Sequence, residues 1–192
     1  MSDTGWVSPG TVMNDNSSGD IDWTSAGNAK VSDGNYASTS SSSLYDPPRD
    51  YLVKLVNENG ALVGENKAAD SILDSSDTYR VYGGSSDDWG ETWSTPIVNS
   101  ESFGLIFQVI FRSFVGDEIS RYLRAYDFDL NVPTGSTIDG VEARVEQKYW
   151  VDTEGDLGKF VGVDHIQIKV YYTESTGTPT VGVKYPLPAF KS

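Results

Sequence analysis

At 192 residues, with 38% hydrophobic and 12% aromatic side chains, the chain has the length and composition of one folded domain. Acidic residues outnumber basic ones 28 to 14, and the net charge of −14 repels phosphate backbones and anionic lipid, which argues against nucleic acid and membrane surfaces as partners. The absence of cysteine excludes disulfides, thiolate metal sites and a cysteine nucleophile. No run reaches the roughly 18–20 consecutive apolar residues of a membrane-spanning helix. Met1–Trp6 lacks the basic and apolar regions of a secretory signal, so synthesis in a cytoplasm is expected.

Residues 1–50 are polar, with a low-complexity run at Ser40–Ser43 and a breaker at Asp46-Pro47-Pro48. Trp6, Val7, Val12, Ile21, Trp23, Val31 and Tyr36 recur singly along it, which predicts an extended ribbon packed on the domain or on a neighbour. Tyr51–Val56 is the first compact strand signal, Asn57–Gly60 a hairpin turn and Ala61–Gly64 its return. Lys67–Ile72 could form a short helical turn. Tyr79–Tyr82 suits a strand, and Gly83-Gly84 ends it. Phe103–Phe114 is apolar on both alternating faces, as a covered central strand would be. Arg121–Val132 sets Tyr122, Arg124, Tyr126, Phe128, Leu130 and Val132 on one expected face. Ile138–Trp150 has the cleanest period of two: Val141, Ala143, Val145 and Tyr149 alternate with Glu142, Arg144, Glu146 and Lys148. Phe160–Tyr172 is the last strand, with Ile166, Ile168 and Val170 in phase. Residues 174–192 carry Pro179, Pro186 and Pro188 and read as an extended docking arm. With no three-turn amphipathic helix, the pattern predicts a single all-β domain: an antiparallel β-sandwich or jelly roll of eight to ten strands, its core spanning 51–173 between two extended arms.

Tyr79–Trp93 holds two of the five tryptophans and three of the nineteen glycines. Within it, Ser86-x-Asp88-x-Gly90-x-Thr92-Trp93 resembles the Asp-box, a β-hairpin turn best known from sialidases. In such a turn a short carboxylate accepts backbone N–H groups, Gly takes the φ > 0 position and Trp plugs the hairpin into a core. The motif occurs once, whereas a sialidase propeller repeats it at a blade period of about 40–50 residues. The expectation is therefore a structural turn formed by Ser86, Asp88, Gly90 and Thr92, held by the Asp88 carboxylate. Tyr82, Trp89 and Trp93 could in addition form a stacking platform for a glycan.

Several blocks together resemble a family of β-sandwich proteins from the structural regions of tailed phages and prophages. They are Gly5-Trp6-Val7-Ser8-Pro9-Gly10, Asp33-Gly34-Asn35-Tyr36-Ala37, Tyr82–Gly90, Phe103-Gly104, Phe128–Val141 and Val163–Thr173. The resemblance implies a virion component without catalytic activity, a capsid decoration or cement subunit or a tail-associated one. Its implied partners are other virion proteins, the major capsid or tail proteins, and it would stand in the virion as a homo-oligomer or lattice-bound copy. The Phe128–Val141 block follows Tyr82–Gly90 here, whereas the family pattern sets it soon after the Tyr-Ala element. A rearranged strand order, such as a circular permutation, could produce the same sandwich, so the fold class carries over and the family's strand pairing does not. The runner-up function is a carbohydrate-binding module or a receptor-binding adhesin.

His165 is the only histidine, expected on one strand face with Val163, Gln167 and Lys169 while Asp164 points to the other. A Ser-His-Asp relay would need a nucleophile and an orienting acid around it, and a structural role is the expectation. One histidine and no cysteine cannot make a zinc site. Calcium is the cation that the carboxylates could take, at Asp15/Asn16/Asp20/Asp22, Asp87/Asp88 or Asp152/Glu154/Asp156, but these read as solvated acidic loops. No cofactor is expected.

Overall fold

The structure, a computed structural model, describes residues 1–42, 46–152 and 158–175. Among them are eleven strands: β1 (Ser2–Asp3), β2 (Pro9–Asp15), β3 (Ala37–Ser41), β4 (Arg49–Val56), β5 (Leu62–Val63), β6 (Thr78–Gly83), β7 (Gly104–Phe111), β8 (Glu118–Ile119), β9 (Tyr122–Phe128), β10 (Thr137–Val151) and β11 (Lys159–Thr173). One 3-10 turn (Ala26–Ala29) and one short helix, α1 (Thr95–Val98), complete the list. The strands form two antiparallel sheets. The first runs β1-β11-β10-β6, with β3 beside β11 beyond β1; the second runs β2-β9-β7-β4-β5, with β8 beside β7. The all-β sandwich expected from the alternation is therefore present.

The core lies between the sheets. Val141, Ala143 and Val145 of β10 and Ile166, Ile168 and Val170 of β11 face Val53 and Leu55 of β4, Leu105, Phe107, Val109 and Phe111 of β7, and Leu123 and Ala125 of β9. Burying each large apolar side chain of this set contributes about 1.5–3 kcal/mol. β7 is buried along its whole length. On its outer face Ile106 sits in register between Lys54 and Arg124, and Ile110 between Arg49 and Ile119, so long aliphatic stems flank it where the described residues supply no third layer.

The polar N-terminal stretch is not an appendage. β1 and β3 pair with β11 in the first sheet and β2 pairs with β9 in the second. Trp23, 3% exposed, donates its indole N–H to the Arg121 carbonyl at 2.7 Å. Residues 1–42 thus belong to the sandwich, and no boundary falls at residue 50. Of the C-terminal arm, 176–192 lie outside the described residues.

Three local readings change. Lys67–Ile72 forms no helical turn but an irregular loop with Asp70 at φ of 51°, and the Asp50 carboxylate, at 0% exposure in β4, accepts its Ala69 N–H at 3.0 Å and its Ser71 N–H at 2.7 Å. In β9, Asp127 has φ of 63° and reverses the alternation. Leu123 and Ala125 face the core and Tyr122, Arg124 and Tyr126 do not, while Phe128 beyond the break turns back into it. In β11 the register with β10 slips by one residue between Glu146↔His165 and Gln147↔Val163, which leaves Asp164 as a β-bulge. The slip moves Val163 onto the core side with Ile166, so it does not share a face with His165.

Candidate functional site

β6 delivers the chain into the Tyr82–Trp93 turn. Gly83 has φ of +75°, and a Cβ there would lie 2.4 Å from the Val141 carbonyl and 2.5 Å from the Trp89 indole nitrogen. Only glycine lets strand and indole meet so closely. Trp89, fully buried, donates its indole N–H to that carbonyl at 2.8 Å, and Val141 returns its own N–H to the Asp87 carbonyl at 2.9 Å. Two carboxylates brace the turn: Asp87 accepts the Trp89 N–H and Asp88 the exposed Gly90 N–H, each at 2.8 Å. Asp87 also meets the Lys67 ammonium at 2.9 Å. Trp93 is half-buried, edge-on to Phe103, and donates to the Asp88 carbonyl at 2.7 Å. Ser86 and Thr92 are exposed.

This turn is not a hairpin. β6 belongs to the first sheet; after the turn, α1 leads into β7 of the second. The block carries the chain from sheet to sheet, and the resemblance to an Asp-box ends at its local bonds. The buried side of the turn is held by Asp87, where the spacing had pointed to Asp88. The expected glycan platform is not assembled either: Tyr82 is 4% and Trp89 0% exposed, so only Trp93 presents any ring surface. Their apolar bodies pack the core because the close approach at Gly83 draws them inward.

Tyr82 reaches from the first sheet towards Asp50 of the second at 3.4 Å, and Arg80 forms an ion pair with the same carboxylate at 3.4 Å. Burial, with the Asp50 charge beside it, pushes the Tyr82 phenol far above the usual tyrosine range. This polar hub ties the sheets together.

His165 lies on the outer side of the first sheet. Its Nε2 is 2.8 Å from Ser8 Oγ and its Nδ1 is 2.9 Å from the Tyr79 hydroxyl. Burial lowers the imidazole pKa below its ordinary value. In a Ser-His-Asp relay an acid holds the second nitrogen. Here a phenol holds it, while the Asp164 carboxylate accepts backbone N–H groups from Asp33 and Gly34 at 3.1–3.3 Å. The bulge that displaces Asp164 brings it to those donors. The arrangement fastens the N-terminal ribbon to β11.

The same outer face carries a row of cations on aromatic rings. The Arg144 guanidinium is 4.3 Å from the Trp6 ring centre and 4.2 Å from that of Tyr79; the Lys169 ammonium is 4.3 Å from Trp6. Towards the far end of β10, the Trp150 ring stacks on Phe160 at 5.5 Å and 10°, and Tyr36 packs tilted against Trp150 at 6.2 Å. Tyr36, Ser75, Lys148 and Trp150 line a recess of about 430 Å³ there. The Lys148 ammonium donates to the Tyr36 hydroxyl at 2.7 Å and to Asp77 at 3.0 Å, and the Tyr36 hydroxyl donates to the same Asp77 oxygen at 3.0 Å. Sequence reading passed over this constellation. Its signal was Trp150, a large aromatic two residues beyond Lys148 on the polar side of the cleanest alternation in the chain.

In the acidic clusters Asp15, Asp22 and Asp87 each meet a basic side chain. Burial would raise the Asp15 carboxyl, but bonds from Ser17 and Arg124 outweigh it and hold the group below the usual range. Asp22 pairs with Arg121 at 2.9 Å. Glu154 and Asp156 lie outside the described residues, and among the described residues no group of three or more His, Asp or Glu is arranged to hold a metal ion.

Matched against models of protein families, curated proteins and solved structures, the chain finds no counterpart.

Proposed function

We propose that the protein is a non-catalytic structural component of a bacteriophage particle, a capsid decoration or cement subunit or a tail-associated one, and that it acts by docking on neighbouring subunits. The supporting observation is how the blocks that carry the family resemblance meet. Tyr82–Gly90 is bonded to Phe128–Val141 through the Val141 carbonyl and amide, and Asp33–Ala37 and Gly5–Gly10 are bonded to Val163–Thr173 through Asp164, Val7 and Ser8. Their polar groups hold one segment of the chain to another, the expected use of such residues in a scaffold. In this reading the sandwich presents a rigid surface, and the Pro-rich residues 174–192 dock on a neighbour.

Mass spectrometry of purified particles tests the proposal. Hundreds of copies per particle indicate a coat of head or tube, and a handful a tail tip; absence from particles of a phage that encodes the chain overturns it. A chain lacking residues 174–192 should fold, since β11 closes at Thr173, and fail to incorporate.

A further inference from the structure

The recess bounded by Tyr36, Ser75, Lys148 and Trp150 has the composition of a saccharide subsite, and we infer that it binds a neutral pyranose unit of a glycan. The inference goes beyond the docking reading and does not depend on where a particle carries the chain. Trp150 is backed by Phe160, which fixes the indole as a rigid wall, and Tyr36 closes the adjoining side. Both rings lie directly on β11 because residue 162 is glycine: a Cβ there would stand 2.8 Å from the Tyr36 ring and 2.9 Å from that of Trp150. A pyranose offers an apolar C–H face to such rings and hydroxyls around its rim.

The rim chemistry is also in place. Lys148 has three protons, of which two go to Tyr36 and Asp77, and Asp77 holds both bonds on one oxygen. One ammonium proton of Lys148 and the exposed Ser75 hydroxyl, both on residues that line the recess, are left to meet sugar hydroxyls. The Lys148 and Asp77 charges compensate each other, which favours a neutral sugar over an acidic one. A volume of about 430 Å³ falls in the range of small-ligand clefts.

The test is saturation-transfer NMR on the full chain with maltotriose, cellotriose, tri-N-acetylchitotriose and trigalacturonate at millimolar concentration, with tryptophan fluorescence giving affinities. Saturation of pyranose protons in at least one neutral trisaccharide is expected. Trp150→Ala should weaken that binding about tenfold or more, the equivalent of one lost aromatic contact. Because Trp150→Ala could also loosen β10, Ser75→Arg serves as the second variant: it blocks the mouth from an exposed position, and it should abolish binding with an unchanged melting temperature. Failure of all three neutral sugars to bind, binding confined to trigalacturonate, or full binding by Ser75→Arg overturns the inference.

Discussion

Asp50→Ala is the most informative single perturbation of the fold. The carboxylate is fully buried and accepts N–H groups from Ala69 and Ser71, while Arg80 and Tyr82 approach it from the opposite sheet. Truncation strands two amide donors and leaves a guanidinium, whose side chain is 18% exposed, without its buried counter-ion. Breaking a buried ion pair from one side costs about 3–5 kcal/mol, and the stranded donors place this site at the upper end of that range. At about 2–4 °C per kcal/mol for a chain of this size, the melting temperature should fall by about 10–20 °C. Urea unfolding followed by tryptophan fluorescence measures the free energy directly, since Trp89 and Trp23 are both buried. Removing both charges together, as Asp50→Leu with Arg80→Met, should recover part of the loss, because no charge is then left uncompensated. An Asp50→Ala protein within about 1 kcal/mol of the parent would refute the view that this hub joins the sheets.

Three further outcomes follow from the geometry. Asp87→Ala should destabilise by about 1–2 kcal/mol, since it removes the acceptor for Trp89 and the Lys67 partner, while Asp88→Ala should cost under about 0.5 kcal/mol because the Gly90 N–H turns to water; equal losses in thermal unfolding would contradict this ranking. Burial lowers the His165 pKa below the ordinary 6.5, so the unfolded chain takes up that proton before the folded one. The group's contribution is therefore complete above pH 6.5 and is lost as pH falls below it, at no more than about 1.4 kcal/mol per unit. His165→Gln should flatten urea-derived stability between about pH 6.5 and 5, and an unchanged slope there would count against the buried neutral imidazole. Trp6→Ala removes the ring under Arg144 and Lys169, so hydrogen exchange at residues 2–7 should quicken while β10 stays protected; uniform exchange across both would show that the cation contacts do not hold the ribbon.

Much of the sandwich was legible because burial on one face leaves a period of two. Val141, Ala143 and Val145 could be assigned to the core from their spacing, and β7 announced its burial by apolar residues on both phases. The alternation misled where backbone geometry broke it. One left-handed residue, Asp127, reversed the faces of β9, and one bulged residue, Asp164, moved Val163 away from His165's side. Neither break has a residue-type signal, since aspartate is common in regular turns and strand ends alike. At the Tyr82–Trp93 turn the spacing singled out Asp88, while Asp87 accepts the N–H of the buried Trp89, and a local motif carries no information on whether the next strand returns to the same sheet. The aromatic recess was hidden for a related reason: Tyr36, Asp77, Lys148 and Trp150 come from three separated segments, and only the pairing of β3 with β11 and of β6 with β10 gathers them.

The position of β11 has a bearing on how the chain is born. Among the described residues β1 and β3 find their strand partner in β11, which spans Lys159–Thr173. A ribosome releasing the polypeptide from its N-terminus would therefore expose this ribbon until β11 emerges, with Ser2 waiting for Tyr172 and Ala37 for Val163. Closure of the first sheet is a late, long-range event, and long-range pairing of this kind folds slowly. The serine-rich, acidic character of the first fifty residues suits that wait, because a segment with few apolar side chains stays hydrated and avoids self-association until its partner emerges.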